Sequence, residues 1–222
     1  MRTKLREREM PVYTRGEERF NMISHIVGGA VGIAALVLCI IRSAIRHNGY
    51  GLAGSIVFGV SMIVLYTMSA VYHGLRPGMG KRVMQVMDHC TIYLLIAGTY
   101  TPILLSAMRP LDPVGSWVLF GLVWALTALA VTLNAIDLKH FRVFSMICYI
   151  GMGWCIIFRL PVMIQAMGRT GFGLILAGGL LYTIGAVLYG IGSKKKYFHC
   201  IFHMFVLAGS ICHVLAVLLY AL

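Results

Sequence analysis

From residue 20 to residue 41 the chain carries no Asp, Glu, Lys or Arg, and six further apolar stretches of similar length follow. About twenty such residues in a helix match the hydrocarbon thickness of a bilayer. A soluble domain of 222 residues could not hide seven such stretches, with 59% of the chain hydrophobic and only 12% charged. In lipid each backbone N–H and C=O must find a partner inside the protein, so the stretches have to be helices. The apolar-length criterion places seven spans at residues 20–41, 51–74, 86–107, 115–135, 143–164, 172–192 and 198–221. The predicted fold is an all-α integral membrane protein, a seven-transmembrane helix bundle. A short basic N-terminal segment, residues 1–19, precedes a single transmembrane domain, residues 20–222. The first stretch lacks a small-residue cleavage signature, so it reads as a span rather than a secretory leader.

Turn-forming and polar segments separate the spans: RSAIRHNGYG, GLRPGMGKR, RPLDPVG, DLKHFR, QAMGRTG and SKKKYFH. Pro102 and Pro161 are expected to kink their helices, and Gly28 and Gly32 to let two helices approach closely. The net charge of +12 sits in these short segments. There it fixes topology and touches anionic headgroups, and no folded basic surface that could read bases is evident, which excludes a nucleic-acid partner. On one side lie Arg2, Lys4, Arg6, Arg8, Arg15, Arg19, Arg76, Lys81, Arg82, Lys139, Arg142, Lys194, Lys195 and Lys196; on the other lie Arg42, Arg46, Arg109 and Arg169. The bias puts the N-terminus in the cytoplasm and the C-terminus outside, with Arg159 snorkelling outward from the fifth span. This orientation is opposite to that of a G-protein-coupled receptor. A retinal protein needs a lysine in its last span, and residues 198–222 contain none. Six cysteines lie in apolar segments without a CxxC pair and read as small hydrophobes.

Against this background the polar residues converge on one membrane level. The second span ends with Ser69 and His73 at the cytoplasmic side, and the third starts there with Asp88 and His89. The seventh starts there with His199 and His203, and the first with Glu18, Asn21 and His25. Of the seven acidic residues only Asp88 falls inside a predicted span. An intramembrane carboxylate costs several kcal/mol unless paired, which marks it as functional; the competing reading is a cap at the start of the third helix. His199 and His203, four apart, share one helix face and can share a metal ion. The HExxH glutamate is missing, so a base must come from elsewhere, and Asp88 is the natural candidate. His73 would complete a three-histidine site with a fourth position open, the pattern of catalytic zinc; interfacial histidines bonded to their neighbours are the alternative. Ser69 could bond a water or an oxyanion, or its own i−4 carbonyl. Glu18, Asn21 and His25 could form a second shell or a helix-entry network. His213, about 15 Å along the axis from His203, reads as a separate core residue.

The motifs E-x-x-N-x-x-S-H at Glu18 to His25, S-x-x-x-H at Ser69 to His73, the run DHCTIYLLIAGTYTP from Asp88 to Pro102, and H-x-x-x-H at His199 to His203 occur in one order. Together they resemble the hemolysin III family, the bacterial branch of the progestin and adiponectin receptor superfamily. The resemblance covers the chain from Glu17 onward. It implies seven helices, an inside N-terminus and a zinc ion near the cytoplasmic end. His73, His199 and His203 are then the direct ligands, Asp88 holds the attacking water, and Ser69 lies near the site. Related receptors and the similar alkaline ceramidases imply a zinc-dependent lipid amidase, and bacterial members imply a link to membrane-lipid homeostasis. The hemolysin label is historical. The expected function is therefore an intramembrane zinc hydrolase of a lipid amide or ester in the plasma membrane, with membrane lipid as substrate or ligand. A non-enzymatic sensor with a structural zinc is the alternative, and a transporter ranks third because no broken-helix repeat stands out.

Overall fold

The structure, a computed structural model, describes residues 5–7, 10–192 and 195–222. Arg2, Lys4, Arg8 and Lys194, which contribute to the charge bias, lie outside the described residues. After a 3₁₀ turn at Leu5–Glu7 come α1 (Arg15–Ile45), α2 (Gly49–Gly74), α3 (Met79–Pro102), α4 (Pro113–Asp137), α5 (Arg142–Trp154), α6 (Leu160–Gly192) and α7 (Phe198–Ala216). No strand occurs among the described residues. Among the described residues six helical stretches are long and apolar enough to cross a membrane; one of them runs from Arg142 to Gly190 and takes in α5 and nearly all of α6.

Both expected kinks have a backbone signature. At Pro102 the missing N–H ends α3 proper, and the chain continues as a wide π turn at Ile103–Met108. The segment expected as one helix over 143–164 is interrupted. Here α5 stops at Trp154, a 3₁₀ stretch spans Cys155–Arg159, and α6 restarts at Leu160 with Pro161 in its first turn, where no N–H partner is needed. Within α6, Gly168 adopts φ 69° and ψ 173°, a conformation open to glycine alone.

Without a hydrophobic effect between helices in lipid, close backbone approach carries the packing. A β-carbon on Gly28 would fall inside the Tyr66 ring, and one on Gly32 would crowd Ile63 and Met62, so α1 lies directly against α2. The helix α3 is the most enclosed span. Around it the core gathers Phe58, Met62, Tyr66, Tyr93, Leu104 and Met163, all almost fully buried. All six cysteines are free thiols.

Several ends are longer than the apolar runs imply. Thr14 caps α1 and forms a reciprocal capping box with Glu17. Glu17 and Glu18 are therefore helical and enclosed rather than part of a terminal tail. Since α3 starts at Met79, Asp88 sits well inside it and cannot be its cap. At the other end of the bundle Arg159 Nε meets Asp112 Oδ2 at 3.3 Å.

Candidate metal centre

Two tertiary ties hold the histidine-bearing helices in register. The Glu17 carboxylate accepts the backbone N–H of Tyr197 at 2.6 Å, pinning the start of α7 to the start of α1. Tyr197 takes a left-handed φ of 65°, which turns the chain into α7. Glu18 then reaches α2 and α3 together: its Oε2 accepts from His73 Nδ1 at 2.7 Å and its Oε1 from Lys81 Nζ at 2.7 Å. Lys81 also donates to the Leu75 carbonyl at 3.1 Å and is only 4% exposed.

A carboxylate can only accept, so Glu18 fixes His73 as the Nδ1–H tautomer and turns its Nε2 lone pair inward. That nitrogen lies 3.2 Å from His199 Nε2, which lies 3.0 Å from His203 Nε2. Three ring nitrogens thus meet at one point. One nitrogen cannot both donate and accept, so N–H···N bonding cannot satisfy all three, whereas a cation receiving three lone pairs can. His73, His199 and His203 could therefore hold a metal ion, their ligand atoms all lying within 4.8 Å of one another.

The surroundings are polar and unusually short of partners. Asn21 Nδ2 and Oδ1, both nitrogens of His25, Ser69 Oγ, Tyr72 Oη and His199 Nδ1 are buried with no hydrogen-bond partner. Native cores leave few such atoms, and a cluster of them marks a place where water or a polar ligand is received. The His25 ring stacks on His203 at 3.7 Å and meets Tyr66 edge-on at 5.0 Å. The free Ser69 Oγ shows that its own helix does not claim it. From the segment ahead of α1, Tyr13 stacks on His199 at 4.9 Å and lies 5.8 Å from His73. Burial pushes the Tyr13 phenol above its ordinary range, so it stays a neutral donor.

From this level an apolar cavity runs into the bundle. Its near end is lined by His25, Ser69, Asp88 and His203. Its far end is lined by Met163, Ile175, Tyr182 and His213. Asp88 projects into the cavity, with its Oδ2 3.8 Å from His89 Nδ1; His89 instead donates to the Gln85 carbonyl at 2.8 Å and turns back on its own helix. The structure thus brings His73, His199 and His203 together, sets Glu18, His25 and Asn21 around them, and puts Asp88 and Ser69 on the shared cavity wall.

The fold and the site together invite comparison with known proteins. A family model described as Haemolysin-III related matches residues 13–214. The chain belongs to the hemolysin III family. As a hemolysin III protein it is 37% identical over 206 residues to Hemolysin-3 of Bacillus cereus, covering 93% of this chain and 92% of that one. It is 35% identical over 209 residues to the Hemolysin-3 homolog of Bacillus subtilis (strain 168), covering 94% and 96%. A more distant similarity, 25% over 172 residues, links this hemolysin III chain to the human Monocyte to macrophage differentiation factor, covering 74% and 68%. Family and apolar helices together make it a multi-pass membrane protein.

Lys81, Tyr13, Glu17 and Tyr72 were not singled out for the site from sequence. Two signals were available. Thr14-Arg-Gly-Glu17 is a capping-box pattern that starts α1 early. Lys81, Gln85 and Asp88 fall at i, i+4 and i+7 on one face of α3, so a cation two turns before the cavity carboxylate had to point into the bundle.

Proposed function

We propose that this protein is a zinc-dependent membrane hydrolase that cleaves an amide or ester bond of a lipid, linked to membrane-lipid homeostasis, in the cell membrane. The observation that carries the reading is the meeting of three imidazole Nε2 atoms, one of them on His203, which lines an apolar cavity together with Asp88 and Ser69. Tetrahedral zinc with Zn–N of about 2.0–2.1 Å separates its nitrogen ligands by about 3.3 Å. The observed 3.2 and 3.0 Å are close to that edge. Three histidine nitrogens and no fourth protein ligand in the group fit a catalytic rather than a closed structural centre, and His73, His199 and His203 would hold the ion. Zinc bound there would supply a Lewis acid for the scissile carbonyl and make water acidic enough to react near neutral pH.

The chain's own residues do the rest. Glu18 holds the His73 ring in place and keeps its donor nitrogen turned away from the centre. Asp88 accepts the proton of the attacking water and delivers it to the leaving nitrogen or oxygen. Ser69 donates its unclaimed O–H to the carbonyl oxygen as charge builds there. The apolar wall from Ile92 to Met163 receives the acyl chain. α5 and α6 line one side and touch each other only sparsely, which supports entry of that chain from the bilayer.

The same reading makes the bundle seven-spanning, with its histidine end in the cytoplasm. A straight helix as long as the α5–α6 stretch would measure roughly 74 Å, more than twice the hydrocarbon thickness. The break at Gly168 supports reading the stretch as two crossings. The cation bias toward the histidine end supports that orientation.

The test is metal analysis and lipid mass spectrometry on purified protein in nanodiscs. Wild type is expected to carry one zinc and to release a time-dependent product. Asp88→Ala should keep the metal and form no product, and His73→Ala should lose both. Zinc without turnover of any lipid in a broad panel would instead favour a sensor in which the metal only ties α2 to α7.

A further inference from the structure

At the far end of the cavity one buried polar atom has nothing to bond. His213 is 7% exposed and lines the cavity wall. Its Nε2 lies 3.2 Å from the Ile175 carbonyl oxygen. A carbonyl can only accept, so Nε2 carries the proton and, in the neutral ring, Nδ1 is a bare lone pair. That Nδ1 has no partner.

The geometry that fixes the ring is built into the helix crossing. A β-carbon at Gly178 would fall on the Nε2 edge of the His213 ring, and one at Gly209 would fall on the Tyr182 ring. Two facing glycines therefore let α7 lay His213 across the α6 backbone, with Tyr182 packed edge-on at 5.0 Å. The neighbouring polar groups of the wall are already committed. The Tyr182 hydroxyl is 2.8 Å from Ser210 Oγ, which also accepts from Tyr66 at 2.7 Å. Thr183 donates to the Gly179 carbonyl and accepts from Trp154 Nε1. Tyr100 donates to the Gly153 carbonyl and accepts from the Ile156 N–H, and Thr99 donates to the Leu95 carbonyl. Among the described residues of this half of the cavity, His213 Nδ1 is the polar side-chain atom left over. A purely apolar filler would have been stable without it, since a buried acceptor left unmet costs about 1–3 kcal/mol.

We infer that His213 is a distal recognition site that accepts a hydrogen bond from a hydroxyl or amide N–H set midway along the acyl chain of the cavity's ligand. The inference rests on the proposed reading that a lipid lies in the cavity with its reactive head at the histidine centre. The ten residues from His203 to His213 span about 15 Å. An extended chain of ~1.5 Å carbon–carbon bonds covers that in about a dozen carbons. Because Nδ1 accepts and does not donate, a ketone at the same carbon gains nothing.

The experiment is competitive binding of stearate, 12-hydroxystearate, 12-oxostearate and 3-hydroxystearate to the purified full-length protein in nanodiscs. Wild type is expected to bind 12-hydroxystearate about tenfold more tightly than stearate, as one hydrogen bond to a buried acceptor implies. The ketone and the 3-hydroxy acid should match stearate. His213→Phe, close in shape, should bind stearate normally and lose the preference. The inference is overturned if wild type binds all four alike, if the ketone binds as tightly as the alcohol, or if His213→Phe keeps the preference. The wild-type comparison decides the matter even if that variant does not fold. If no fatty acid binds to wild type, the lipid-in-cavity reading itself fails and takes this one with it.

Discussion

Glu17 and Tyr197 stand 180 positions apart, yet a carboxylate oxygen of one receives the backbone N–H of the other at 2.6 Å. The same carboxylate accepts the Thr14 N–H and hydroxyl at 2.9 and 2.8 Å. One side chain therefore seals the start of α1 and sets where α7 begins, and with it where His199 and His203 point.

Glu17→Ala removes a cap and the α1–α7 tie together. The expected loss is about 1–2 kcal/mol of stability, read as a lower midpoint of thermal unfolding in detergent, with weaker metal retention. Glu17→Gln keeps an acceptor and should recover most of both.

Glu18→Ala leaves the three imidazoles in place but frees the His73 ring. Removing a partner that orients a ligand typically costs 10- to 100-fold in metal affinity, measurable by chelator competition. An unchanged affinity would mean that His73 is held by packing alone.

Glu18→Gln also strands the buried Lys81 ammonium. The cost is roughly 2 kcal/mol, below that of a fully buried pair because Glu18 is 21% exposed. Adding Lys81→Met should restore stability without restoring metal affinity, which separates the two jobs of Glu18.

Metal removal gives a further check. Chelation should lower the unfolding midpoint of wild type, since a ligand bound only by the native state stabilises it in proportion to RT ln(1 + [L]/Kd). His203→Ala should start at the lower value and not respond.

Gly168→Ala forces a β-carbon into a conformation that costs of order 1–3 kcal/mol. Gly173, in open helical surroundings, provides the control: Gly173→Ala should be neutral or stabilising by up to about 1 kcal/mol. Equal thermal midpoints for the two variants would remove the break in α6.

What could be read from the sequence followed from the bilayer's demands. Runs without charge had to be helices, and QAMGRTG marked the break at Gly168. Counting crossings brought His73 to the level of His199 and His203. What escaped was polar and local. Apolar length stops at Phe20, while the helix continues back to Arg15 because Thr14 and Glu17 satisfy its first N–H groups, so Glu17 looked like tail although its neighbour Glu18 was already placed near the site. Lys81 read as a loop cation because a lone lysine beside Arg82 carries no sign of its buried partner. The interruption at Cys155–Arg159 is set by Pro161, whose ring forbids the preceding turn from closing as an α-helix. The orphan nitrogen of His213 depends on which edge of the ring faces α6, and residue spacing does not encode that.

Tyr13 belongs to the segment ahead of α1, yet its ring lies against His199. The chain before the first helix is therefore part of the wall of the histidine centre, and trimming it back past Tyr13 would lay an imidazole bare as well as shorten the protein.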